Sequence, residues 1–483
     1  MRYELLNDLP NSENNPCCII GICTDTPLPS LFTDLDTQYQ GLLSKLYLQL
    51  KQKGDWIEQA DCHGQTLVLI HCGSAPKFQR TEFRKCMQTI AALPQTKRLE
   101  TLTLCLPRIA NTSLEEQLEY TILDLDWSFY QYQAFKSKPT SLTTQCIRVY
   151  LPDASRLQET LSIAEAIRTT RVLADLPANV CTPHYMGEQA LKLAQDYPSV
   201  SCQVLNKTEI EKLGMGALLA VAQGSQEPPV FITLEYTPAQ AQNAQPIVLV
   251  GKGVTFDSGG LSIKPANFMD EMKYDMTGAA SVLGIIQACA ALQLPLHVIG
   301  LMPCTENLPG NHACKPGDII KTMSGQTVEI LNTDAEGRLI LADALTYAER
   351  FNPECVIDIA TLTGAVIVSL GNVHSGLMTS DDTLCQELVS AGKQVGDTVW
   401  RLPVEEAYND ALDSPLADMI NAGFDRTAGS ITAACFLAKF TQKYPHVHLD
   451  IAGTGWISGK QRKSTGRPIP LLIRWLRDKA HAR

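Results

Sequence analysis

A short apolar run, Pro246-Ile-Val-Leu-Val250, is stopped by glycine and followed by Gly251-Lys-Gly-Val-Thr-Phe-Asp257-Ser-Gly-Gly260. Such a run reads as a buried strand delivering a polar loop at its carboxyl end. Further on, Ala279, Val282, Leu283, Ile286 and Ala290 recur at helical spacing, which sets Asp275 just ahead of a helix. Strand, glycine loop and helix in that order commit this stretch to an α/β architecture. In open α/β sheets, ligand sites lie at the carboxyl ends of the strands.

A second segment, Asn332-Thr-Asp-Ala-Glu-Gly-Arg338, precedes another helical pattern made by Leu339, Ala342, Leu345 and Ala348. Residues two apart share a side only in extended chain, so the segment is expected to be an extended loop aiming Asp334, Glu336 and Arg338 at one point. With Lys252, Asp257, Lys264 and Asp275, these make seven charged residues in two glycine-rich segments. Four carboxylates converging without histidine suit hard, oxygen-coordinated divalent ions. A single divalent ion would leave such a cluster net negative, whereas two would balance it, and paired ions are a recurrent device for hydrolysis. Positive charge close by disfavours an ammonium, so Lys252 could serve as a neutral nitrogen ligand. Lys264 and Arg338 would stay charged, available to an oxyanion or a bound anion.

Elsewhere, Cys17–Cys23, Leu67–His71, Leu99–Cys105 and Cys146–Leu151 read as strands, with helices near Gln38–Lys53, Gln79–Leu93 and Ser113–Phe135. That alternation predicts a mostly parallel sheet wrapped by helices. Ala154–Ala174 reads as one long connecting helix, broken by Pro177-Ala-Asn-Val-Cys-Thr-Pro183. A second sheet is expected from Leu296–Met302, Cys355–Leu362 and His446–Ala452, with helices near Thr383–Val395 and Ser430–Tyr444. The tail Pro468–Trp475 opens with prolines suited to a helix start.

Several other chemistries fit poorly. Asp257-Ser258-Gly-Gly has the look of a serine-protease nucleophile segment, and His71-Cys72 of its histidine segment, but those enzymes are β-barrels and no third triad member is placed. Ser258 is better read as shaping the loop that presents Asp257. Gly459-Lys460 is followed by Gln461, so it is no phosphate loop. A net charge of −11, with only Lys460-Gln-Arg-Lys463 as a basic cluster, argues against a nucleic-acid surface. Sixteen cysteines include no Cys-x-x-Cys pair, and Cys289 and Cys435 sit on apolar helix faces as small hydrophobes. No charged-then-apolar leader and no apolar run of membrane-spanning length is present, so a reduced cytoplasmic setting is expected. Asp318 and Asp358 read as capping or ion-pair residues, and His446 and His448, alternating along a strand, as packing or surface polarity.

The strings Gly-Lys-Gly-Val-Thr-Phe-Asp-Ser-Gly-Gly, Met272-Lys-Tyr-Asp-Met-Thr-Gly-Ala-Ala280 and Asn-Thr-Asp-Ala-Glu-Gly-Arg-Leu resemble those of the leucine (cytosol) aminopeptidase family. The likeness extends through Lys315-Pro-Gly-Asp318, Ile359-Ala-Thr-Leu-Thr-Gly-Ala365, Trp400-Arg-Leu-Pro403 and His448-Leu-Asp-Ile-Ala-Gly453. Pro309–Cys314 and Asp413 depart from the family's usual wording, away from the charged residues.

The resemblance implies an α/β protein with a smaller N-terminal α/β domain of macro-like type over residues 1–153 and a connecting helix over 154–175. A catalytic domain over 176–483 would hold a mixed central sheet flanked by helices. It implies two divalent metal ions, zinc or manganese, with Asp257 and Glu336 bridging them. Lys252 and Asp275 would complete the tighter site, and Asp334, partly through its carbonyl, the looser one. Lys264 would polarise the substrate carbonyl, and Arg338 would hold a bicarbonate as general base. Leu362 would supply a backbone group near that anion, while Met272, Thr361, Gly364 and Ala452 would line an apolar pocket. The implied activity is release of N-terminal residues, preferably apolar ones such as leucine, from peptides by a homohexamer. Two other readings stand beside it: a non-catalytic DNA-binding relative, and a two-metal phosphoesterase, which would ordinarily bring histidines to its metals.

Overall fold

The computed structural model describes every residue except 11–15, 24–29, 54, 61–63, 140–141, 426 and 483. Two compact units form, Met1–Ala164 and Glu165–Arg483. The first holds a six-stranded sheet in the order Arg2–Leu6, Cys146–Tyr150, Thr101–Cys105, Cys17–Ile22, Thr66–His71, Trp56–Ala60. All neighbours are parallel except the last pair. Strand residues alternate between faces, and here both faces are apolar. Cys17, Ile19, Val68 and Ile70 join one core with Phe83, Met87, Leu118 and Ile122 from helices. Cys18, Ile20, Leu67 and Leu69 join another with Leu35, Leu43, Leu46 and Leu50.

The second unit is built on a nine-stranded mixed sheet. Its centre is Ile247–Gly251, buried throughout and paired in parallel with Cys355–Ala360 on one side and Val298–Asn307 on the other. His446–Asp450 continues the parallel set beyond Cys355–Ala360. Antiparallel strands Ser375–Met378 and Val230–Tyr236 lie further out. The helix Thr277–Ala291 is buried at almost every position, since it lies against the sheet as its apolar periodicity requires.

Three sequence expectations need correction. The stretch after Gly251 is no simple loop: Gly253–Asp257 forms a short strand parallel to the end of Val298–Asn307. That longer strand runs through Pro303 to Asn307, past the expected end at Met302. The helix expected over Ser430–Tyr444 spans only Gly429–Ala438, short of Tyr444, whose hydroxyl donates to Leu345 O, and of Pro445. The fifteen described cysteines are free, and Cys62 lies outside the described residues. Among the described residues, no helix is long and apolar enough to cross a membrane.

His446 and His448 prove to be partners of Asp358, an ion pair spanning adjacent strands. His446 Nε2 lies 2.7 Å from Asp358 Oδ2, and His448 Nδ1 lies 2.6 Å from Oδ1. Burial alone would raise the Asp358 carboxyl, but the imidazoles outweigh it and hold the group below the ordinary carboxylate range. Burial likewise opposes the His448 imidazolium, and Asp358 outweighs it, raising that pKa. The Asp358 contribution to stability is present above its unfolded pKa and lost as pH falls through its lower folded one; that of His448 is present below its unfolded pKa and lost as pH rises through its higher folded one. Together they stabilise most between about pH 4 and 6.5. Asp358→Asn is expected to lower the urea midpoint most inside that window and to flatten its pH dependence on both flanks.

Candidate metal centre

Lys252 follows directly on the central strand, and its backbone is clamped on both sides. Its N–H donates to Ile359 O at 3.0 Å, and its carbonyl accepts from Ala279 N at 2.9 Å. Glycine makes this approach possible. A Cβ on Gly278 would stand 2.1 Å from Ile359 O, and one on Gly251 2.5 Å from Gly278 O. The Lys252 ammonium therefore arrives buried, 2.8 Å from Asp275 and 2.8 Å from Glu336, and donates to Thr361 O at 3.0 Å. Asp275 is presented by the 3₁₀ segment Met269–Met276, and Thr361 holds it with a 2.8 Å hydrogen bond.

Asp257 ends its short strand and is fixed by a 2.9 Å bond from Gly259 N and a 2.8 Å bond from Asn307 Nδ2. Ser258 turns the loop, donating to Asn307 O and accepting from Gly260 N. Lys264 then reaches back, 2.7 Å from Asp257 Oδ2 and 2.5 Å from Asp334 Oδ1. Asp257, Asp334 and Glu336 each offer a carboxylate oxygen, and these atoms all lie within 4.8 Å of one another.

The expected extended loop over Asn332–Gly337 is instead a turn that enters a helix. Asn332 accepts from Asp334 N through its side chain, and the helix Gly337–Ala348 has Glu336 as its N-cap in helical conformation. Arg338 thus leaves from the first helical turn rather than from a shared extended face. Its Nη1 donates to Asn421 O at 2.8 Å, while Nε is buried with no hydrogen-bond partner. Burial pushes the guanidinium down to about 10, so it stays charged at neutral pH.

Electrostatics show what this cluster requires. Asp257, Asp275, Asp334 and Glu336 bring four negative charges, and Lys252 and Lys264 return two positive ones. Burial, then neighbouring carboxylates, raise Asp257, and burial, then Asp257 and Glu336, raise Asp334 to about 6. Burial is also the main cause that raises Asp275, whereas for Glu336 the lysines outweigh burial and lower it. Glu336 Oε2 is buried without a hydrogen-bond partner, and Asp275 Oδ2 and Asp334 Oδ1, also buried, have only a lysine ammonium against them. Buried charge without such bonds is costly. Convergent oxygen donors that outnumber the ammonium groups beside them fit divalent cations.

Of the expected pocket residues, Leu362 and Ala452 are drawn together because both backbone N–H groups donate to Asp450 Oδ1, at 3.1 and 3.2 Å. That engages the Leu362 N–H and leaves its carbonyl. Met272 is half-buried on the Asp275 segment, and Gly364 is exposed at the first turn of the helix Gly364–Leu370. Thr361 serves Asp275 directly. Sequence reasoning missed Asn307, Asn421, Asp450 and Glu271, which hold the presenting loops. Asn421 Oδ1 accepts from Leu331 N and Asn332 N. Glu271 accepts from Trp456, Ser458 and Gly459. Uncharged or isolated in sequence, they gave no signal.

A carboxylate cluster at the carboxyl ends of a mixed α/β sheet, with lysines and, among the described residues, no histidine, fits the site of a metal-dependent hydrolase. The catalytic-domain signature of the cytosol aminopeptidase family matches residues 168–473. The chain belongs to that family and is a metal-dependent aminopeptidase by that membership. It is 53% identical over 488 residues, 100% of each chain, to a probable cytosol aminopeptidase of Legionella pneumophila (strain Paris). It is 43% identical to one from Nitrosococcus oceani, covering 99% of both. Among solved structures, a mutant of tomato leucine aminopeptidase superposes with a TM-score of 0.88 at 30% identity, over 99% of this chain and 96% of that one. The bottromycin maturation enzyme BotP in complex with Mn gives 0.84 at 30%, over 96% and 99%.

Asn307 touches no expected ligand except Asp257, so Asn307→Ala isolates a supporting role. It is expected to weaken metal binding about 10–100-fold, read by competition with a chromogenic chelator, with the fold retained by circular dichroism.

Proposed function

We propose that this chain removes N-terminal residues, preferentially apolar ones such as leucine, from peptides with the help of two divalent ions. The observation that carries this reading is the convergence of Asp257, Asp334 and Glu336, with Glu336 Oε2 buried and without a hydrogen-bond partner. Asp257 and Glu336 would bridge the ions, Lys252 and Asp275 would complete one site, and Asp334 the other. Zinc and manganese both suit these donors, and the manganese complex of BotP supports the latter. When bound, the ions would lower the pKa of a shared water and polarise the scissile carbonyl.

The residues of the chain supply the rest. Lys252 raises its pKa only because carboxylates surround it, outweighing its burial. Lys252 would hold an ion through its neutral amine, the form that divalent charge close by favours. Lys264, freed from neutralising Asp257 and Asp334, keeps its proton and donates to the developing oxyanion. Arg338 cannot accept a proton, but its unpartnered Nε suits a small anion, with bicarbonate as the proposed proton carrier. Met272, Thr361, Leu362, Gly364 and Ala452 form the proposed pocket for the first side chain.

The proposal includes a division of labour along the chain: residues 176–483 as the catalytic domain, 154–175 as connector and 1–153 as a macro-like N-terminal domain. It also includes assembly as a homohexamer and a cytoplasmic setting, the latter in keeping with the names of the relatives.

Two variants separate the roles, with hydrolysis of a leucyl anilide and metal content measured together. Glu336→Ala is expected to abolish both metal retention and hydrolysis. Lys264→Ala is expected to retain metal while losing about 10²–10³ in kcat. Unchanged turnover in the lysine variant would remove Lys264 from the mechanism. Chelation should silence the wild type, and manganese or zinc should restore it.

A further inference from the structure

Glu271 lies buried on the 3₁₀ segment Met269–Met276, and its carboxylate is spent on one neighbour, the hairpin formed by Trp456–Ile457 and Lys463–Ser464. Its Oε2 accepts from Trp456 Nε1 at 2.8 Å and from Ser458 Oγ at 2.6 Å, and its Oε1 accepts from Gly459 N at 2.7 Å. Burial would raise this carboxyl, but the bonds from Gly459, Ser458 and Trp456 outweigh it and hold the group below the ordinary carboxylate range. An ionised carboxylate only accepts, so all three donors can face it at once.

The rest of the segment is tied as closely. Asp270 pairs with Arg462 of the same hairpin at 3.2 Å. Lys273 Nζ donates to Asp175 O at 2.6 Å, and the Tyr274 hydroxyl donates to Asp175 Oδ1 at 3.0 Å, the oxygen that also accepts from Ser464 N. The Tyr274 ring stacks on Trp456, with centroids 5.6 Å apart and planes 10° from parallel. Asp275 is held from elsewhere, by Thr361 and Lys252. Between Asp270 and Asp275, only half-buried Met272 has a side chain with neither a charge nor a strong hydrogen-bonding group. A methionine side chain is flexible and takes the shape its surroundings impose. It can act as a selective wall only where its backbone is fixed, and here its neighbours fix it.

We propose that Glu271 is a positioning residue for specificity: by clamping the segment to the Trp456–Ser464 hairpin, it fixes Met272 as a wall for the first side chain of the peptide and so sets the preference for leucine over smaller residues. The inference rests on the reading of Met272 as a pocket residue and adds what holds that wall in place. One methylene in an apolar pocket is worth about 10–200-fold in kcat/KM, so a wall that gives way costs a large apolar side chain more than a small one. Asp275 keeps Thr361 and Lys252 when the clamp is cut, so metal binding is spared.

The test is kcat/KM for leucyl and alanyl anilides, measured on the same metal-loaded preparations. Their ratio does not depend on how much of the enzyme is folded, so a loss of stability alone leaves it unchanged. Glu271→Gln replaces one acceptor oxygen by an amide nitrogen that cannot accept, and is expected to lower the leucyl-to-alanyl ratio about tenfold with metal content retained. Ser458→Ala, an exposed change that removes one of the three donors, is expected to lower it about threefold. Ser458→Thr keeps the hydroxyl and is expected to keep the wild-type ratio. Met272→Ala separates the clamp from the pocket. If it shifts the ratio while Glu271→Gln and Ser458→Ala do not, the pocket stands and the clamp is overturned. If Met272→Ala leaves the ratio where it was, the pocket reading fails and the clamp falls with it.

Discussion

Four acidic side chains buried at one end of a sheet cannot stand without positive charge, and the rest of this structure follows from that requirement. Two lysines answer part of it, Lys252 between Asp275 and Glu336 and Lys264 between Asp257 and Asp334. Neither lysine hydrogen-bonds Glu336 Oε2, and two ammonium groups leave four carboxylates in excess. Proteins keep such groups when a ligand completes them, because an isolated buried charge costs far more than a surface one. The cluster is thus unfinished in the way a metal site is unfinished.

Holding it requires backbones closer than side chains allow. Gly251 and Gly278 press the first turn of the Thr277–Ala291 helix against the central strands, so that residues far apart in sequence meet. Around them stands a layer of uncharged or singly charged supports: Asn307 on Asp257, Thr361 on Asp275, Asn421 beneath the turn that carries Asp334, and Asp450 under Leu362 and Ala452. Rigid strands set the direction of each side chain, and these bonds set its rotation.

Much of this was legible before any coordinates. Pro246–Val250 announced the central strand, and the helical spacing of Ala279, Val282 and Ile286 announced the helix that Asp275 precedes. The seven charged residues were found because charge is rare in apolar surroundings, and six of them share one network of contacts. Arg338 was misdirected by a rule applied too far: a spacing of two residues means a common side only in extended chain, and a helix starts at Gly337. Asn307 and Asn421 went unseen because asparagine is common in loops, and nothing local distinguishes Asn307 from any other. Pro303 inside a strand hid the last part of Val298–Asn307, since proline ordinarily argues against a strand interior. His446 and His448 were placed on their strand correctly, but their bond to Asp358 spans two segments that no local pattern connects.

The decisive measurement is anomalous diffraction from crystals of the manganese- or zinc-loaded protein. Two peaks about 3.5–4 Å apart, with Asp257 and Glu336 each touching both, are what a paired-ion centre predicts. A single peak, or ions bound away from these carboxylates, would contradict it.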